Sequence, residues 1–286
     1  MHRDDRVLVV GTGYAGARLV KLLKRAGVAT YATSRTARVV EGVSTVALDL
    51  DADSIPELPP HTVLVYLAPP PADGAQDPRS ERLVASLTRR SATTRALVYV
   101  STTGVYGDCD GAWVDEQSPV RPGTPRAERR VAAERIWRAA AQSWAVPLAI
   151  LRVAGIYGPN RLPLARLASG EPLLRADLSP YTNRIHIDDL VTALYKLAGL
   201  DATFDIADGQ PLPLTTFYHT LADASGRARL PETDDRTRVP SVRGGFGESR
   251  QIRAERLREC LGTLRYPDLQ SGLRASIAEQ EGVDVQ

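Results

Sequence analysis

Val7-Leu8-Val9-Val10-Gly11-Thr12-Gly13-Tyr14-Ala15-Gly16 is an apolar run that ends in G-x-G-x-x-G. Beyond it, Leu19, Val20, Leu23 and Ala26 recur at helical spacing, and the pattern stops at Gly27, a residue suited to close a helix. Strand, glycine turn and helix in that order form a dinucleotide-binding fingerprint. Gly11 is expected to permit the tight turn, Gly13 to let the backbone approach a pyrophosphate, and Gly16 to let the helix pack closely on the strand. The first helical N–H groups, from Tyr14 and Ala15 onward, and the positive end of the helix dipole would face the phosphates.

The next strand pattern, Val28 to Thr33, ends in Ser34-Arg35. A site built for NAD places an acid there, about 20 residues past the glycines, to hold the ribose 2′-hydroxyl. The first acid after this strand is Glu41, too late to serve. The Ser34 hydroxyl and the Arg35 guanidinium instead suit a 2′-phosphate, so NADP is expected over NAD. The alternative, that Arg35 is a solvated loop charge, stays open because only three of the 36 basic residues are lysines.

With 286 residues, 43% of them hydrophobic and 24% charged, the chain can bury a full core and is not of disordered composition. A formal charge of +2 with scattered basic residues gives no sign of a nucleic-acid partner. The start, Met1-His-Arg-Asp-Asp-Arg6, is charged, and no apolar run approaches 18 residues, so a cytoplasmic protein without a membrane partner is expected. Cys109 and Cys260 make no disulfide framework, and no metal-ligand spacing occurs.

Strand patterns at Thr45–Leu48, Val63–Leu67, Leu97–Val100 and Leu148–Val153 alternate with helical patterns at Arg79–Ser91, Arg126–Gln142 and Asp188–Leu197. This order predicts an α/β fold, a doubly wound parallel sheet of the Rossmann type, with a small C-terminal substrate lobe. Residues 1–157 would form the dinucleotide-binding core, with elements at about 183–207 returning to it. Residues 158–182 and 208–286 would form the smaller lobe. The Arg-, Gly- and Pro-rich segment 227–250 reads either as a loop over a cleft or as a partner surface.

Several blocks together resemble the short-chain dehydrogenase/reductase superfamily, in its extended, sugar-nucleotide-epimerase-like branch. Val100-Ser-Thr-Thr-Gly-Val-Tyr106-Gly-Asp108 is similar to its S-S-x-x-V-Y-G motif, and Asp115-Glu-Gln-Ser-Pro119 with Pro122 to its E-x-x-P-x-x-P loop. Leu151-Arg152 with Ile156-Tyr-Gly158-Pro159 resembles L-R-x-x-x-x-Y-G-P, and Asn183-Arg-Ile-His186-Ile-Asp188-Asp189 resembles R-x-x-H-V-D-D. The branch usually carries G-x-x-G-x-x-G, so the G-x-G-x-x-G here points to an atypical subgroup. The resemblance also implies cofactor contacts from Asp49 and Leu50 after the third strand, and from Leu67, Ala68 and Pro69 after the fourth. The run Pro69-Pro-Pro71 would stiffen that loop and narrow the nicotinamide end.

Catalysis is where the chain departs from the family. Family members use a Tyr as proton donor, activated by a Lys four residues on, and no such pair exists in this sequence. Counting back from Glu134, which resembles the Glu four residues after that Lys, the Lys position holds Arg130 and the Tyr position Arg126. A guanidinium has a pKa above about 12, so Arg126 has no proton to give near neutrality, whereas Arg130 can hold a ribose hydroxyl or stabilise an anion. Thr102 falls on the position that fixes the substrate oxygen, and Tyr106 is the alternative acid or base. Cys109 lies between Asp108 and Asp110, which would raise a thiol pKa. Asp188 is expected to cap the following helix, with Asp189 beside it, and Tyr181, Asn183 and Arg184 to face a substrate cleft. Arg161, Arg166 and Arg175 are candidates for a substrate phosphate.

The leading expectation is therefore an NADP-dependent oxidoreductase or epimerase/dehydratase-like enzyme of atypical type. Its substrate would be a small hydroxylated or carbonyl molecule, with sugar derivatives included. The competing readings are a catalytically silent NADP-binding redox sensor or scaffold, and a nucleotide-sugar binder without redox chemistry. A monomer or a homodimer through the helices near 79–93 and 126–142 is implied, although the arginines along the second helix disfavour a tight apolar seam.

Overall fold

The computed structural model describes residues 1–88, 93–239 and 247–282. In chain order the first elements are β1 (Arg6–Val10), α1 (Tyr14–Arg25), β2 (Ala29–Ser34), β3 (Val39–Val40), β4 (Val43–Ala47), β5 (Val63–Tyr66), α2 (Pro78–Thr88) and β6 (Ala96–Thr102). They continue with β7 (Trp113–Val114), α3 (Pro125–Trp144), β8 (Leu148–Val153), β9 (Gly155–Tyr157), α4 (Leu164–Ala168), β10 (Leu173–Leu174), β11 (Tyr181–Thr182), β12 (Arg184–His186) and α5 (Ile187–Lys196). The last are β13 (Ala202–Ile206), β14 (Leu212–Pro213), α6 (Leu214–Ala224), β15 (Glu232–Thr233), β16 (Gln251–Ile252), α7 (Glu255–Leu261) and α8 (Leu269–Glu281).

The main sheet has eight strands in the order β13-β8-β6-β5-β1-β2-β4-β3. Strand β1 lies parallel to both β2 and β5, with Val10 level with Thr33 on one side and Tyr66 on the other. Tyr66 is in turn level with Tyr99 of β6. From β1 the chain winds outward through β2 and β4, then crosses back to β5, so the order reverses beside β1. In open α/β sheets that reversal opens a crevice at the carboxyl ends of the strands. The expected α/β class and doubly wound sheet are both present. The sequence reading missed β3, a two-residue strand that turns back antiparallel on β4.

Contacts divide the chain into two compact units: 1–105, 122–152 and 190–204 in the first, and 106–121, 153–189 and 205–286 in the second. The first is centred on Leu8, Val10, Leu64, Tyr66, Leu97, Tyr99, Trp137 and Ile150, all buried. The second has its own core of Tyr157, Phe217, Leu221 and Leu273. This corrects the expected boundaries. Residues 106–121, expected in the dinucleotide-binding core, have backbone groups that pair with the C-terminal part of the chain. Cys109 N donates to Ser249 O at 3.0 Å, and β7 lies parallel to β16. Residues 183–189 also fall in the second unit, through β12 paired with β9.

Helix α1 ends as its sequence predicts, with Gly27 at φ +73° just past Ala26. Helix α3 starts one residue before the expected 126, because Thr124 accepts a hydrogen bond from Ala127 N and Pro125 occupies the first turn. Of the expected helix 79–91, residues 89–91 lie outside the described residues, as do 240–246 of the segment 227–250. The part of that segment at 232–233 is strand β15, parallel to β10.

Candidate functional site

The three glycines of the first loop differ in what a side chain would meet. Gly11 has φ +96°, and a Cβ there would lie 3.1 Å from Ala68 N. At Gly16 a Cβ would lie 2.1 Å from the carbonyl oxygen of Gly11, so the helix can approach the strand only without one. At Gly13 nothing lies within 4 Å of the same atom, and the residue is exposed. The third position is thus an open cradle that a side chain would fill. Helix α1 starts at this cradle with no acid in its first turn, so the positive end of its dipole suits an anion. These features fit the pyrophosphate of a dinucleotide.

On the β2 side of the loop, Ser34 does not have the place expected of it. It is buried, its hydroxyl donates to Thr36 O at 2.7 Å, and it lies 2.5 Å from Thr45 Oγ1. The hydroxyl is thereby spent on tying β2 to β4, which corrects its assignment to a 2′-phosphate. Arg35 is exposed. A second cation, unnoticed in the sequence, stands closer to the glycines: Arg38 Nη2 donates to Thr12 O at 2.7 Å. Its only sequence signal is a further arginine three residues beyond Arg35.

Asp49 is exposed, and its Oδ1 accepts from Asp51 N at 3.0 Å, turning the chain after β4. Leu50 is buried, and its carbonyl accepts from Arg82. The hydrogen bond from Arg79 holds the Asp51 carboxyl below the usual range, with Arg82 and Arg35 adding to the effect. Arg79 also donates to Pro69 O at 2.9 Å, so one side chain binds the turns after β4 and β5 together. Leu67 N donates to Val10 O at 2.9 Å, and Ala68 packs under Gly11. From α3, Arg129 donates to Gly74 O at 2.5 Å and holds the far end of the loop containing Pro69.

Strand β6 and helix α3 supply the remaining candidates. Glu134 is buried, accepting from Ser101 Oγ at 2.6 Å and from Arg152 at 3.1 and 2.9 Å. This triad fixes the register of α3 against β6 and β8. One turn earlier, Arg130 donates to Val100 O at 2.8 Å, whereas Arg126, a further turn on, is exposed. Thr102 Oγ1 accepts from Gly104 N at 3.1 Å, which leaves its own proton to donate.

Other expectations are corrected within the second unit. Tyr106 is fully buried, and its hydroxyl donates to the Asp205 carboxylate at 2.9 Å, so it is tied to a structural partner and not presented as an acid. Asn183 is also buried, bonded to Arg250 O and Ile252 N, which removes it from a cleft wall. Arg184 stacks over Phe217 at 4.2 Å. Asp188 lies inside the first turn of α5 and does not cap it, while Asp189 accepts from Arg265 N and Tyr266 N. His186 is buried against Ser276 Oγ at 3.1 Å. Arg166 donates to the carbonyls of Glu171 and Pro172, and Arg175 pairs with Asp177. The Cys109 thiol is pushed up, first by burial and then by Asp108.

A cavity of about 700 Å³ lies at the start of β8 and β13, lined by Arg138, Gln142, Leu148 and Asp201, and holds none of the candidate residues. Among the described residues no helix is long and apolar enough to cross a membrane, and no cluster of metal-ligating side chains occurs.

Comparison with known proteins agrees with this geometry. A functionally unknown conserved protein from Silicibacter pomeroyi superposes with a TM-score of 0.83 at 30% identity, covering 97% of this chain and 99% of its own. The UDP-glucose 4-epimerase of Thermus thermophilus, solved with NAD, superposes at 0.77 with 21% identity over 98% and 100%. The dTDP-glucose 4,6-dehydratase of Neisseria gonorrhoeae is 23% identical over 63% of this chain and 57% of its own length. The chain spans between about a fifth and somewhat over half of the length of the curated relatives it matches. The profile of the NAD dependent epimerase/dehydratase family matches residues 7–204. With most of its length inside that match and the glycine loop, sheet order and β6 motif in place, the chain belongs to the NAD dependent epimerase/dehydratase family, within the short-chain dehydrogenase/reductase superfamily.

Proposed function

We propose that the chain is an NADP-preferring oxidoreductase or epimerase/dehydratase-like enzyme of atypical type, acting on a small hydroxylated or carbonyl compound such as a sugar derivative. The observation that carries the reading is the glycine loop at the sheet's reversal point, with Gly13 open and two arginines but no acid following β2. The adenine half would lie toward β2 and β4, near Asp49, Leu50 and Arg79. Its 2′-phosphate would meet Arg35 and Arg38, the latter pinned to the glycine loop by Thr12 O. The nicotinamide would supply hydride transfer.

Thr102 and Arg130 carry the remaining roles. The Thr102 hydroxyl, oriented by Gly104 N, donates to the substrate oxygen. Arg130 offers charge to an oxygen that turns anionic, and acts by electrostatic stabilisation because a guanidinium gives up no proton at neutral pH. The proton itself would come from water or the substrate. Titration with NADPH and NADH, followed by a panel of carbonyl and nucleotide-sugar substrates, tests the reading. Tighter NADPH binding with turnover supports it; tight binding without turnover on any substrate favours the silent redox sensor.

A further inference from the structure

Arg130 gives both hydrogens of one terminal nitrogen to the protein. Nη1 donates to Val100 O at 2.8 Å and to the Tyr99 hydroxyl at 3.4 Å. A guanidinium carries five N–H groups, so three remain on Nε and Nη2. No hydrogen-bond partner for them occurs among the described residues. Two acceptors on one nitrogen fix the plane of the fork, which a single acceptor would leave free to swing.

Tyr99 is held in place to be the second acceptor. Its ring is buried, 6.0 Å from Tyr66 and 6.2 Å from Trp137, so core packing sets the position of its hydroxyl. Burial pushes that hydroxyl up to about 12, which keeps it neutral beside the cation. The location also follows from the register. Tyr99 is level with Tyr66, and Tyr66 with Val10, the residue before Gly11. Two strand spacings put it about 10 Å across the carboxyl edge from the glycine loop. A dinucleotide with its pyrophosphate on that loop and its adenine half over β2 runs its second ribose toward β5 and β6.

We infer that Tyr99 is a positioning residue: with the Val100 carbonyl it holds the Arg130 fork so that Nε and Nη2 meet the hydroxyls of the nicotinamide-side ribose. The inference rests on the dinucleotide reading above.

The test compares a whole dinucleotide with its adenine half, NADPH with 2′,5′-ADP and NADH with ADP, by calorimetry on the full chain. Tyr99→Phe keeps the stacked ring and removes one acceptor. It should weaken the better-bound dinucleotide about threefold to tenfold and leave its adenine half unchanged, the size expected for one hydrogen bond. In an Arg130→Met background the same change should have no further effect. Arg130→Lys, which leaves the core ring untouched, should also weaken the dinucleotide alone, and it carries the test where Tyr99→Phe is unstable. Unchanged dinucleotide affinity, equal weakening of the adenine half, or the same Tyr99→Phe effect without Arg130 overturns the inference. If the unaltered chain binds neither dinucleotide, the cofactor reading itself is refuted, and the role of Tyr99 with it.

Discussion

Gly13 and Gly16 stand three residues apart in one loop, yet the structure predicts opposite consequences for replacing them. A Cβ at Gly16 lies 2.1 Å from Gly11 O, where such a contact needs about 3.3 Å. Helix α1 must therefore move on the order of 1 Å, against a loop held by Thr33 and packed on Ala68, and overpacking of this kind costs about 1–3 kcal/mol. A side chain at Gly13 meets nothing within 4 Å, and its φ of −72° suits any residue, so the stability change should stay under about 1 kcal/mol. Gly13→Val nevertheless fills the cradle. Losing two charge-assisted hydrogen bonds to the pyrophosphate, each about 1.5 kcal/mol, weakens binding by about a hundredfold. The assay pairs thermal melting with NADPH fluorescence titration. Gly16→Ala should melt early, whereas Gly13→Val should melt normally and fail to bind. A Gly13→Val chain that binds NADPH within about threefold of the unaltered protein would refute the assignment of this loop to the phosphates.

Three further outcomes are expected. Arg35→Ala and Arg38→Ala should each narrow the preference for NADPH over NADH about tenfold, as charge-assisted contacts of about 1.5 kcal/mol imply, and equal affinities in the unaltered chain would exclude a 2′-phosphate site. Burial pushes the Asp208 carboxyl from its ordinary 3.8 up to about 7, so the native state holds this proton more tightly than the unfolded chain does. Its contribution to stability therefore falls as pH rises between those values, and Asp208→Asn should stabilise the chain by up to about 4 kcal/mol at pH 8 with the difference vanishing near pH 4 in urea titrations. Glu134→Ala strands the buried Arg152 and should cost about 3–5 kcal/mol in the same assay; a loss under about 1 kcal/mol would show that the triad does not hold α3.

The glycine loop, the alternation of strand and helix, and the missing Tyr and Lys were legible in the sequence, because each is a local pattern. Periodicity marks which face is apolar, and glycine marks where a Cβ cannot fit. The three glycines differ in geometry: Gly11 has a positive φ, Gly13 is open, and Gly16 allows close packing of helix on strand. Glu134, from which the positions of Arg130 and Arg126 are counted, reaches Ser101 and Arg152. Hydrogen bonds between residues distant in sequence leave no such pattern. Whether the Ser34 hydroxyl is free or spent depends on Thr45, 11 residues away, and Tyr106 meets Asp205 across 99 residues. Arg38 reaches Thr12 because the sheet sets their loops side by side, and Arg130 reaches Tyr99 because α3 packs against β6. The sequence by itself determined a strand, a glycine turn and a helix in that order. The tertiary structure decided which hydroxyls and guanidinium groups stand beside that turn, because a donor's partner is set by where the folded chain places the nearest acceptor and not by the residue's neighbours in sequence.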